Sequence, residues 1–199
     1  MWCLQKSSRD ANGRSEFGRI FSNHRMNHNF TPAMSASTVV CVLGSYGEFV
    51  GLHIARQCLL RENVVTKILV RRGYEAFEEK KVKVDELVSH GAIIVYGDAS
   101  DPDSLISAFE GVDVVISALG GWGAVDVFHQ NVYTACLKTG VKRVVPAQFG
   151  VDILSLPVEG MDDYMKKKRS WNLAAIDSGL NYTIISQVFS QNILTMHST

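Results

Sequence analysis

The 199-residue chain lacks most of the features that mark a specialised class of protein. Its four cysteines, Cys3, Cys41, Cys58 and Cys136, show no CxxC or metal-ligand spacing, so no metal site is expected. Cys41 lies in an apolar, strand-like run, and Cys58 and Cys136 in helix-like segments. They read as reduced structural thiols of a cytoplasmic protein. Twenty Lys and Arg balance twenty Asp and Glu. A formal net charge of zero offers no general attraction to nucleic acid or to an anionic membrane. No apolar run approaches the roughly 20 residues that a membrane span needs. No internal repeat or low-complexity tract is present. What is there is a hydrophobic content of 46% with 20% charge, enough to bury one good core.

The first 37 residues differ from the rest. They are rich in Ser, Asn and Arg, without a sustained apolar period, and carry Lys6, Arg9, Arg14, Arg19 and Arg25 against only Asp10 and Glu16. An Arg- and Ser-rich, acid-poor stretch fits a mitochondrial import segment. The alternatives, favoured by the lack of an amphipathic stripe, are a disordered extension or an upstream reading artefact with Met34 as the natural start. The chain therefore divides into an extension over 1–37 and one domain over 38–199.

From Thr38 the pattern changes. Thr38–Leu43 is a short β-branched run ended by Gly44, as expected of a buried parallel strand. A helix is predicted over Glu48–Arg61, with Val50, Ile54, Cys58 and Leu59 facing inward. Strands at Lys67–Val70, Ala92–Val95, Val112–Ile116, Arg143–Val145 and Tyr182–Ile185 alternate with helices at Tyr74–Ser89, Asp101–Phe109, Ala124–Lys138 and Asp162–Asp177. Asp101 and Pro102 make a helix start, and Gly179 makes a stop. This alternation implies βαβ units. Six strands give an α/β, doubly wound parallel sheet, the Rossmann dinucleotide-binding fold.

The first strand runs into Gly44-Ser45-Tyr46-Gly47-Glu48-Phe49-Val50-Gly51. Gly44 permits a tight turn, Gly47 lets a pyrophosphate approach the backbone, and Gly51 lets the helix pack close to the strand. Phosphate oxygens would meet the free amides at the positive helix N-terminus. The spacing is GxxGxxxG rather than the usual GxxGxxG, and a looser turn would absorb the extra residue. A plain tight turn is the alternative. At the end of the second strand stand Arg71 and Arg72, with no acidic residue there. An acid would bind the ribose 2′-hydroxyl of NAD, whereas guanidinium binds the 2′-phosphate of NADP. NADP is therefore the expected cofactor, the alternative being a solvated pair of loop charges. Asp98 is placed either to meet the adenine edge or to form a turn. Ala118, Leu119 and Gly120 form a small-residue turn under the nicotinamide half.

Together these residues resemble the NmrA-like and isoflavone reductase-like branch of the atypical short-chain dehydrogenases. The resemblance covers about Thr38 to Leu194 and rests on the Gly-rich turn, LVRRG, GDASDPDSLISAFEGVDVVISALG, VKRVVPAQFGVD and SGLNYTII. The PSEFG stretch often found in that family stands here as Pro146-Ala147-Gln148-Phe149-Gly150. Phe149 matches the family's aromatic beside the nicotinamide. The lysine that the family's reductases carry before the sixth strand falls on Lys168, within Lys166-Lys167-Lys168, a run that also describes a solvated helix face. Tyr164 and Lys168 form a YxxxK pair whose side chains share a helix face, so the ammonium could stabilise a phenolate. The partnering Ser of that arrangement is missing. The resemblance also implies a substrate-binding C-terminal region, which is largely absent from a chain ending at Thr199.

Two functions follow from this. One is an NADPH-dependent reductase of a small aromatic or phenolic substrate, with Lys168 and Tyr164 as the catalytic candidates. The other is a non-catalytic NADP-binding redox sensor of the NmrA type. A third reading, a truncated product, would expose Phe189, Ile193 and Leu194 and favour self-association into a homo-oligomer.

Overall fold

A computed structural model of the chain describes residues 2–6, 18–20, 37–47, 50–120 and 126–187. Within the extension two strands are described, β1 (Trp2–Lys6) and β2 (Gly18–Ile20), paired antiparallel with each other. The domain proper opens with β3 (Thr38–Leu43), followed by α1 (Gly51–Leu59) and β4 (Val64–Val70). Next come α2 (Glu78–Ser89), β5 (Ile93–Tyr96), α3 (Pro102–Ala108) and β6 (Val114–Ser117). The chain continues through α4 (Asp126–Thr139), β7 (Arg143–Val145), α5 (Asp163–Asp177) and β8 (Thr183–Gln187).

Among the described residues β3 to β7 form one parallel sheet in the order β5-β4-β3-β6-β7. The expected sixth strand, β8, lies beside β7, where isolated parallel bridges link Val144 of β7 to Tyr182 just before β8, and Gly150 beyond β7 to Ser186 of β8. Its other edge pairs antiparallel with β1. The order reverses between β3 and β6, the point at which doubly wound sheets open a crevice beyond their strand ends.

Alternation along the central strand sets the two halves of the core. Val40 and Val42 face a cluster with Leu52, Ala55, Ile68, Val84 and Leu87 under α1 and α2. Cys41 and Leu43 face the opposite cluster, with Leu105, Phe109, Tyr133 and Cys136 under α3 and α4 and with Ile184 of β8. Cys41, Cys58 and Cys136 are free thiols. Burial pushes Cys41 and Cys136 up to about 12, so neither forms a reactive thiolate near neutrality.

Several boundaries differ from the sequence expectation for identifiable reasons. Helix α1 starts at Gly51 rather than Glu48, and its deepest residues are Gly51, Leu52 and Ala55 rather than the Val50 stripe. Strand β4 starts three residues early, because Val64 to Thr66 pair in register with Thr38 to Val40. The long helix expected from Tyr74 splits: a 3-10 turn covers Tyr74–Ala76, and extended Phe77 (φ −114°) separates it from α2. The cap at Asp101 is as expected, its carboxylate accepting from the N–H groups of Asp103 and Ser104, with Pro102 next in line. Gly179 ends α5 with φ +88°.

Candidate functional site

The C-terminal ends of β3, β4, β6 and β7 meet along one cleft. Its central part, about 420 Å³, is lined by Gly47, Val50 and Gly51 on one side and Ala118, Leu119 and Gly120 on another. Ala147, Gln148, Phe149, Tyr164 and Lys168 close it. A smaller cavity of about 70 Å³ continues past Gly44, Tyr46, Arg71 and Asp98, sharing Leu119 with the first. Residues expected on grounds of sequence are thus brought together from six separate segments. Phe49 lies outside the described residues.

The Gly-rich turn is built so tightly that only glycine fits at two of its positions. Gly44 sits at φ +72°, and a Cβ there would come within 2.8 Å of the Ala118 carbonyl oxygen. A Cβ on Gly51 would lie 2.0 Å from the Gly44 oxygen, inside any allowed contact. Gly47, in contrast, is exposed to the cleft and its N–H donates to the Gly44 oxygen at 2.9 Å. The extra residue of the motif is visible in the hydrogen bonding. The Leu52 N–H donates to the Gly47 oxygen, an i to i−5 step, before the regular Ile54 to Val50 bond begins. Ser45 is fully buried within the turn, and its hydroxyl has no hydrogen-bond partner among the described residues.

This cradle fits a dinucleotide. Close backbone approach, a helix N-terminus without a side-chain cap at Val50, and an orphaned hydroxyl are what a pyrophosphate subsite needs. At the adenosine end the Arg71 guanidinium faces Asp98 at 3.8 Å, and Arg72 lies over the Tyr96 ring at 4.6 Å from its centroid. The Asp98 backbone N–H donates to Ser104 Oγ, while its carboxylate accepts from the N–H and hydroxyl of Ser100. Burial opposes the ionised form of Asp98, but the two Ser100 bonds and the Arg71 charge outweigh it and hold the carboxyl below its usual range. The Asp98 side chain thus forms the turn and meets Arg71.

At the other end, α5 presents Lys168 to the cleft while Lys166 and Lys167 remain exposed. The Lys168 Nζ lies 3.8 Å from where a Cβ on Gly150 would stand and 5.9 Å from the Tyr164 ring centroid. Desolvation lowers its pKa. The Tyr164 ring packs edge-on against Trp171, which stacks on buried His129. Phe149 holds φ +38°, in the left-handed region that a non-glycine residue adopts only when its surroundings enforce it.

Those surroundings centre on Gln148, whose part the sequence reading left open. Its side chain is buried, with Nε2 donating to the Val151 oxygen and Oε1 accepting from Asn172 Nδ2 at 3.0 Å. Asn172 Nδ2 also donates to the Lys168 oxygen at 2.7 Å. An amide can both donate and accept here, which a carboxylate cannot. Also missed were Phe128, Gly97 and Ala99, which line the smaller cavity beside Arg71 and Asp98. The α4 position of Phe128 reads simply as core from its spacing. Asn131 Nδ2, bonded to the Ala99 oxygen, ties that wall to α4.

Comparison with known proteins agrees with this geometry. A family model described as NAD(P)H-binding matches residues 49–192. Phenylcoumaran benzylic ether reductase IRL1 of Ginkgo biloba is 31% identical over 149 residues, 74% of this chain and 47% of the relative. An isoflavone reductase homolog, A622-like, of Nicotiana tabacum is 30% identical over 121 residues, 60% of this chain and 38% of the relative. Among solved structures, AtPrR2 with NADP+ and (+)pinoresinol superposes with a TM-score of 0.66 at 28% identity, covering 74% of this chain and 48% of that one. The leucoanthocyanidin reductase–NADPH complex of Vitis vinifera gives 0.65 at 28% identity, covering 73% and 48%. The chain spans less than half the length of these relatives. A Gly-rich turn, a crevice at the sheet's reversal point and this set of matches make the chain a member of the NAD(P)H-binding family, in its isoflavone reductase-like branch.

Proposed function

We propose that the chain is the cofactor-binding part of an NADPH-dependent reductase of a small aromatic or phenolic substrate. The observation that carries this reading is the single cleft that joins the Gly-rich turn to Lys168. A partly desolvated ammonium sharing a helix face with Tyr164 at one end of that cleft is what the proton transfer accompanying hydride transfer calls for. The relatives named as ether reductases and the NADP+ and NADPH complexes support the same reading.

In this scheme the amides at the start of α1 and the 44–47 turn hold the pyrophosphate, and Arg71 and Arg72 bind the 2′-phosphate. Bound NADPH supplies the hydride. Phe149, fixed by the Gln148–Asn172 pair, walls the nicotinamide end. Lys168 holds the substrate oxygen or the ribose hydroxyls by donating from Nζ, and its partial desolvation, which lowers its pKa, eases release of that proton. Tyr164, on the same helix face, is the second proton donor. The partner is a small molecule; neither nucleic acid nor membrane enters the scheme. No helix among the described residues is long and apolar enough to cross a membrane.

The test is NADPH oxidation over phenolic carbonyl and benzylic ether substrates, by wild type and Lys168→Ala. Turnover that falls by about 10²-fold or more in the variant, with NADPH binding retained, is expected from loss of a general acid–base group. Tight NADPH binding without turnover across the panel would instead support a redox sensor.

A further inference from the structure

The two arginines after β4 are held by different partners, and the difference divides their work. Arg71 faces a carboxylate: its Nη1 is 3.8 Å from Asp98 Oδ2, and Asp98 is itself pinned by the N–H and hydroxyl of Ser100. Any phosphoryl group drawn to Arg71 also meets that fixed negative charge. Arg72 has no ion-pair partner among the described residues; its guanidinium carbon lies over the Tyr96 ring, 4.6 Å from the centroid. A ring face restrains a guanidinium without neutralising it and leaves its in-plane N–H donors available to an anion. Both arginines, Tyr96 and Asp98 line one open cavity of about 640 Å³ at the adenosine end. Tyr96 is the last residue of edge strand β5 and 39% exposed, so its ring is not needed to fill the core.

We infer that Tyr96 is a specificity-determining residue, presenting Arg72 as the main reader of the 2′-phosphate while Arg71, which also faces Asp98, contributes less. The inference rests on the NADP reading of the same cleft. It adds a residue that the Gly-rich turn and the arginine pair do not identify. Tyr96 acts through Arg72, so its removal changes the discrimination between NADPH and NADH and leaves the shared part of the two dinucleotides bound as before.

Calorimetric titration of the full chain with NADPH, NADH and 2′,5′-ADP separates the possibilities. Tyr96→Ala is expected to weaken NADPH and 2′,5′-ADP about two- to fivefold, the range of an exposed cation–π contact, with NADH and the melting temperature unchanged. Tyr96→Phe, which keeps the ring face, is expected to retain wild-type discrimination. Arg72→Ala is expected to cost more NADPH affinity than Arg71→Ala. Equal weakening of NADPH and NADH by Tyr96→Ala, no weakening of either, or a larger loss in Arg71→Ala would overturn the inference while leaving the NADP reading in place. A wild-type chain that binds NADPH and NADH alike would overturn both.

Discussion

Lys168 shows what a single side chain gains and loses by its position. Its neighbours Lys166 and Lys167 stay in water, while its own ammonium is drawn toward Gly150 and partly desolvated, which lowers its pKa. A lysine with a lowered pKa favours the neutral amine in the folded chain. Below the folded value the ammonium is present in folded and unfolded chains alike, and its burial costs stability. As pH rises from the folded value through the ordinary 10.5, only the unfolded chain holds the proton, and the cost disappears. Lys168→Met is therefore expected to raise the melting temperature at pH 7, with the gain shrinking toward pH 10.5. Thermal unfolding of both proteins across that range checks it; a gain that does not change with pH would show that Lys168 carries no desolvation penalty. Lys168 was legible in the sequence from its place before the last strand. The Gln148–Asn172 pair that ties its helix to the Phe149 loop was not, because a buried amide pair 24 residues apart has no periodic signature.

At the scale of elements, the start of α1 carries the argument. Strand β3 and its glycines were readable because β-branched runs and Gly punctuation are local properties. Where the helix would begin was not readable, since that depends on how closely Gly51 sits against the Gly44 carbonyl. The helix begins at the last glycine of the motif, three residues later than Glu48, and the i to i−5 bond at Leu52 takes up the added length. Gly51→Ala places a methyl 2.0 Å from a backbone oxygen that has no side-chain freedom to retreat. A loss of about 1–3 kcal/mol in unfolding free energy is expected, the usual range for overpacking, together with loss of dinucleotide binding. Urea denaturation and NADPH titration of the variant check both; a variant as stable as wild type would mean that the turn is looser than described. The split of the Tyr74–Ser89 helix belongs to the same scale. Extended Phe77 interrupts a polar segment whose spacing is compatible with one continuous helix.

For the whole molecule, the repeated strand–helix alternation was enough to give a doubly wound parallel sheet; the place where its order reverses comes from the structure. The alternation did not reveal that β8 would lie beside β7 without a regular ladder while taking β1 on its other edge, because non-local antiparallel pairing leaves no mark on composition. The cleft at the reversal point is assembled from segments between residue 44 and residue 168, so its integrity reports on the entire domain. Dinucleotide binding stabilises that assembly by mass action and gives a direct reading of the fold and the site together. The decisive measurement is a fluorescence titration of the folded chain with NADPH, with NADH as comparator. The account predicts saturable binding in which NADPH is held at least about tenfold more tightly, as expected of charge-assisted bonds to an added phosphate. Well-folded protein that binds neither dinucleotide would contradict it.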